Sequence, residues 1–127
     1  MQVKIDTREK FHVIKVQEPH LSENMTAELQ NCLLPYLKES VKNVILNMED
    51  IQSMQVAAAE ALVSVQQTFY ENQASFVCCC MQPAVEEWLD AQGLLEIMNV
   101  TPTESEAWDI VQMEEIEREF LDEEGAE

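Results

Sequence analysis

The chain has 127 residues, the size of one domain, with 46% hydrophobic residues and only 2 glycines and 4 prolines, which excludes a disordered or loop-built protein. Its net charge of −18 is uneven: residues 1–50 carry 6 bases and 8 acids, whereas residues 51–127 carry 17 acids and a single base, Arg118. Such a surface repels nucleic acid and anionic lipid, and it serves either plain solubility or a partner with a basic surface.

Val3 and Ile5 alternate with polar residues and predict a first strand. Phe11, Val13, Ile14 and Val16 predict a second, ending before Pro19, and the polar link Thr7-Arg8-Glu9-Lys10 makes the pair a hairpin. Ser22 stands as a helix N-cap before the stripe Met25, Leu29, Cys32, Leu33, Tyr36 and Leu37. Pro35 interrupts that stripe and predicts a kink or an early end. Val44 to Met48 is a branched apolar run, expected as a buried central strand. A second helix is expected from about Gln55 to Tyr70, with Ala57, Ala58, Ala59 and Ala61 allowing close packing and Leu62, Val65 and Phe69 continuing the apolar face.

Ser75 to Cys80 reads as another buried strand. Pro83 opens a third helix with Val85, Trp88 and Leu89 on its face, closed by Gly93. Ile97, Met98 and Val100 predict a short last strand. Thr103 and Glu106 form a capping box for a fourth helix carrying Ala107, Trp108, Val111, Ile116 and Phe120. The order β-β-α-β-α-β-α-β-α predicts an α/β fold with a mixed sheet of about five strands and four helices. The acidic end, residues 114–127, is expected to extend the last helix and then fray.

No apolar run approaches the ~20 residues that cross a bilayer. The start, Met1-Gln2-Val3-Lys4-Ile5-Asp6, lacks the apolar region of a secretion signal, so a cytoplasmic protein without membrane insertion is expected. Cys78, Cys79 and Cys80 invite a redox or metal reading. They lack a C-x-x-C spacing, and a strand would put Cys78 and Cys80 on one face and Cys79 on the other, as small buried residues. His12 and His20 have no nucleophile pattern around them. Glu86-Glu87 and Glu114 to Glu117 lack the Asp/Asn/Gly loop that calcium requires, and no glycine-rich phosphate loop exists. No metal, cofactor or catalytic residue is therefore assigned. Trp88 and Trp108 occupy apolar helix positions, with Trp108 a possible partner contact in the most acidic region.

Three segments resemble the STAS domain family, found in bacterial anti-sigma factor antagonists and in the cytoplasmic part of sulfate transporters. Val44-Ile45-Leu46-Asn47-Met48-Glu49-Asp50-Ile51 is similar to the family's central strand and turn. Phe76 to Val85 is similar to its next strand and helix start, and Leu89-Asp90-Ala91-Gln92-Gly93-Leu94 to the close of that helix. The resemblance covers residues 1–113 as a STAS-like domain and leaves 114–127 as an acidic extension or tail.

The resemblance implies a non-enzymatic signalling protein that docks on a protein partner, an anti-sigma-type kinase or comparable protein. In the family, phosphorylation of a Ser or Thr at the start of the second helix, within an Asp-Ser-Ser-Gly motif, switches the docking. Here that motif falls on Gln55-Val56-Ala57-Ala58, so the acceptor position is Val56, which has no hydroxyl. The nearest hydroxyls are Ser53 and Ser64. By family position, Ser53, Gln55, Val56, Ala57 and Ala58 form the partner-binding surface; Gln82, Pro83 and Trp108 are named separately as possible partner contacts. Two other readings stand beside this one: an accessory module of a chemosensory array or membrane transporter, and a thiol redox or metal-binding protein using Cys78 to Cys80. The acidic end is expected to bind a basic surface or to shield the domain's own binding face. The oligomeric state is left open.

Overall fold

The computed structural model describes residues 1–125. Strand β1 (Val3–Thr7) and β2 (Phe11–Val16) form the expected antiparallel hairpin, with Val3 opposite Val16 and Thr7 opposite His12. β2 then pairs in parallel with β4 (Asn43–Asn47), β4 with β6 (Phe76–Cys79), and β6 with β7 (Val100–Thr101). The result is a mixed five-stranded sheet in the order β1-β2-β4-β6-β7. Two further strands of two residues each, β3 (His20–Leu21) and β5 (Ser53–Met54), pair in parallel as a separate small sheet. Segments this short carry no alternation, so pattern alone does not reveal them.

The register explains the layers. Ile14, Leu46 and Cys78 lie side by side on one face, with Val13, Ile45 and Val77 one residue earlier on the other. The first face is covered by helices α1 (Thr26–Leu33), α2 (Val56–Glu71) and α3 (Pro83–Ala91), through Leu29, Leu33, Ala59, Leu62, Phe69, Val85 and Leu89. The second face is covered by α4 (Glu104–Gly125), through Ala107 and Val111. Every residue of β4 is buried, as expected of a strand between two helical layers.

Several local expectations meet corrections. Ser22 precedes a 3-10 turn (Glu23–Met25), not the α-helix, and its side chain makes no capping bond. The Glu23 N–H instead donates to Gln55 Oε1 at 2.6 Å, so the cap comes from a distant part of the chain. Pro35 does end the α-helix: α1 stops at Leu33 and a 3-10 helix (Leu34–Lys38) follows with the proline in its first turn. Ile97 ends a 3-10 turn, Met98 follows it, and neither joins β7. Gly93 closes α3 with a left-handed φ of +73°, while Gly93 N–H donates to Asp90 and Leu94 N–H to Leu89. At α4 the hydroxyl half of the capping box forms, Glu106 N–H donating to Thr103 Oγ1 at 3.2 Å.

Helix α4 runs unbroken from Glu104 to Gly125, so the boundary expected between residues 113 and 114 falls inside it. The fraying expected at its end falls on residues 126–127, outside the described residues. The two asparagines that begin and end β4 staple this helix to the sheet. Asn47 Nδ2 reaches Glu104 Oε1 at 3.4 Å, and Asn43 Nδ2 donates to Glu115 Oε1 at 2.7 Å. Asn43 Nδ2 also donates to the Lys10 carbonyl, and its Oδ1 accepts from Ser75 N–H at 2.8 Å and from Arg118 at 3.2 Å. Arg118 continues to Ser75 Oγ and forms an ion pair with Glu115. Glu114 accepts from the Tyr70 hydroxyl at 2.7 Å, joining α4 to the end of α2.

Partial burial raises the Glu115 carboxyl, but hydrogen bonds from Asn43 and Arg118, with the Arg118 and Lys10 charges, more than offset this and hold it below its ordinary value. The stabilisation it contributes is thus fully present above the ordinary carboxylate range and is lost as pH falls through the lowered value. Replacing Asn43 with Ala strands several buried polar groups and is expected to cost about 2–3 kcal/mol of unfolding free energy, read as a lower urea midpoint with unchanged slope. In the same assay Glu115→Gln is expected to be less stable than wild type at neutral pH, with the gap closing below about pH 4.

Candidate functional site

Parallel strands present their carboxyl ends to connecting loops, and such ends are where α/β domains place recognition surfaces. At the end of β4, residues 48–55 lead through β5 into α2. Short bonds fasten this connection on both sides. Met48 N–H donates to Cys79, and Ile51 N–H closes a turn onto Met48. Gln52 and Ser53 N–H both donate to the Pro19 carbonyl, and Gln55 N–H donates to Leu21 at 2.8 Å. From the other side Gln82 Nε2 donates to the Glu49 carbonyl at 2.8 Å, and α3, which begins at Pro83, packs against β5. Lys15 pairs with Glu49 and lies 3.7 Å from Asp50. Ile51 is fully buried beneath the connection.

Ser53, Gln55, Val56 and Ala57 are therefore brought together on one exposed, braced ledge, with Gln82 and Pro83 beside it. Val56 is 42% exposed although its side chain is wholly apolar. Gln55 is the N-cap residue of α2 but turns its amide to Glu23, so no side chain caps the helix and no carboxylate sits in its first turn. Ser53 Oγ is hydrogen-bonded to His20 Nδ1 at 2.5 Å, across the β3–β5 pair. That partnership was not visible in the sequence, because the short strands that create it were not.

One residue named by family position does not reach this surface, and Trp108, named as a separate contact, lies elsewhere. Ala58 is fully buried in the core, because the helix turns it onto the sheet one step after Ala57. Trp108 lies on the opposite sheet face, its ring 5.1 Å from Phe11 with the Arg8 guanidinium 5.0 Å above it. Residues 114–125 extend from the amino end of β4, where Asn43 holds Glu115, so they do not shield a ledge that follows its carboxyl end.

The cysteines fall differently from the alternating expectation. Cys78 packs in the larger core and Cys79 in the smaller one, on opposite faces. Cys80 leaves the strand with a left-handed φ of +62° and joins Cys79 against the smaller core, not Cys78. Burial pushes the Cys78 thiol up to about 12 and raises that of Cys79 as well. Since the thiolate is the reactive and metal-binding form, both are held inert at neutral pH. Among the described residues no three or more of His, Cys, Asp and Glu cluster as a metal site. No helix among them is long and apolar enough to cross a membrane.

Residues 2–107 match the model of the STAS domain. The fold is similar to that of an anti-sigma factor antagonist from Mycobacterium paratuberculosis, with a TM-score of 0.74 and 13% identity over 87% of this chain and 93% of that one. A STAS-domain anti-sigma factor antagonist protein from Planctomyces limnophilus superposes with a TM-score of 0.72 at 19% identity, over 87% and 97% of the two chains. The murine Solute Carrier 26 family member A9 anion transporter also contains a similar unit: TM-score 0.70, 14% identity, 82% of this chain but 18% of that one. Titration of the native protein with a thiol reagent is expected to leave Cys78 and Cys79 unmodified until denaturant is added. Rapid native labelling of either would contradict their burial.

Proposed function

The chain belongs to the STAS domain family, and from that premise we propose that it is a non-enzymatic regulator acting in the bacterial cytoplasm, similar to an anti-sigma factor antagonist, that binds its protein partner through the ledge at the start of α2. One observation supports this reading: Val56 stands exposed on a connection braced from both sides, where the resemblance would put the family's acceptor. A lone exposed valine is ordinary on a protein surface; what supports a contact here is that it stands on a ledge already held rigid, with polar groups around it that an interface could use. Because Val56 offers no hydroxyl, the ledge binds in one state and phosphorylation at that position does not switch it. The unfilled amides at the start of α2 and the neighbouring Gln55 and Ser53 supply polar contacts around the apolar centre.

The partner class is an anti-sigma-type kinase or a comparable signalling protein. A second reading, as an accessory unit of a membrane transporter, has the likeness to the anion transporter's fold in its favour. The thiol reading has the burial of Cys78 and Cys79 against it.

Affinity capture from the host lysate, with wild type and Val56→Glu side by side, tests the proposal. Retention of a kinase of the anti-sigma class by wild type, and its loss of at least ~10-fold with Val56→Glu, is the expected outcome, since a charge buried at an interface centre costs more than 1.4 kcal/mol. Retention of a permease in its place would move the protein to the transporter role. Incubation with the captured kinase and ATP is expected to leave residues 53–64 free of phosphate; phosphate on Ser53 or Ser64 would refute the unswitched state.

A further inference from the structure

Of the seven large hydrophobic side chains exposed among the described residues, four lie within residues 113–121 of α4: Met113 at 60%, Ile116 at 64%, Phe120 at 59% and Leu121 at 64%. Met113, Ile116 and Phe120 are spaced i, i+3, i+7, which stacks them on one side of a helix over ~10 Å. That side is opposite the one carrying Ala107, Val111 and Arg118, which packs on the sheet. Helix α4 is thus apolar along two opposite sides: the domain covers one, and the other faces outward.

The charge around this outer stripe is of one sign. Residues 104–125 hold ten carboxylates and one base. That base, Arg118, is turned inward to Asn43, Ser75 and Glu115. Glu117 and Glu119 are exposed on the two flanks of the stripe, and Asp109 is exposed in line with it, one turn before Met113. A second copy of the chain would bring a matching row of carboxylates against these, and an anionic membrane would be repelled in the same way. A helix with an apolar seam and Lys or Arg along its flanks satisfies both features at once.

We propose that the outer side of α4 is a second docking surface, independent of the ledge at α2, and that its occupant is a basic amphipathic helix of another protein. Met113, Ile116 and Phe120 enter the seam of that helix, and the flanking carboxylates meet its cations. The two surfaces lie on opposite sheet faces and at opposite strand ends, so both partners fit at once. The domain then acts as a connector between two proteins.

The test uses the full chain and a synthetic peptide of about 20 residues with Leu at helical spacing and Lys elsewhere. Its isomer with Glu for Lys serves as the control. Calorimetry is expected to show binding of the Lys peptide only, weakened at least ~10-fold when salt is raised from about 50 mM to about 500 mM. The variant Met113→Gln/Ile116→Gln/Phe120→Gln is expected to lose at least ~10-fold in affinity while its thermal midpoint stays unchanged, because the three side chains are exposed. A second variant, Asp109→Lys/Glu117→Lys, keeps the stripe and is expected to lose binding as well. No binding of the Lys peptide, equal binding by either variant, or equal binding of the Glu peptide overturns the proposal. So does a wild-type dimer in sedimentation that the triple variant abolishes, since a second copy would then cover the stripe.

Discussion

The structure depends on a strand that is buried along its whole length. All five residues of β4 are buried, and a strand hidden on both faces needs a helical layer on each side. Its apolar interior supplies that need, and its two polar ends direct how one layer is met. From Asn43 to Asn47 the strand covers ~13 Å at about 3.3 Å per residue, and from Glu104 to Glu115 the helix covers ~16 Å at about 1.5 Å per residue. The lengths agree well enough that each asparagine meets a carboxylate of α4. Arg118, the sole base of residues 51–127, sits in the same cluster, where its charge joins the Asn43 amide in holding the partly buried Glu115 carboxylate.

The ledge at the start of α2 follows from the same strand. Where β4 ends, the chain must leave the sheet and cross to the covering layer. Backbone bonds to Pro19 and Leu21 and the Gln82 amide leave that crossing one path. Gln55 then serves two ends at once: its backbone N–H joins it to Leu21, and its side chain caps the turn at Glu23. That side chain reaches away from its own helix and leaves α2 open.

Much of the architecture was legible because long periodic segments carry redundant signals. The stripes of α2 and α3, the hairpin and the apolar run of β4 each repeat their message over several residues. What escaped was short or depended on distant partners. β3 and β5 have two residues each, and the Gln55–Glu23 bond spans 32 positions. Ser22 looked like a helix cap because local sequence does not reveal that a 3-10 turn precedes α1. Cys80 followed a strand pattern until a left-handed residue broke the alternation. At the ledge, Val56 and Ala57 were legible as surface. Ala58, fully buried one residue later, depended on which way the helix faces the sheet.

The bracing of residues 48–55 bears on the tempo of recognition. A segment already held by its own bonds gives up little freedom when covered, so little of the contact energy goes to ordering it. Encounter with a partner at the proposed ledge would then proceed as rigid-body docking, limited by diffusion and by the long-range field of an acidic molecule instead of by rearrangement. Differences among partners would appear in how long they stay, not in how fast they arrive.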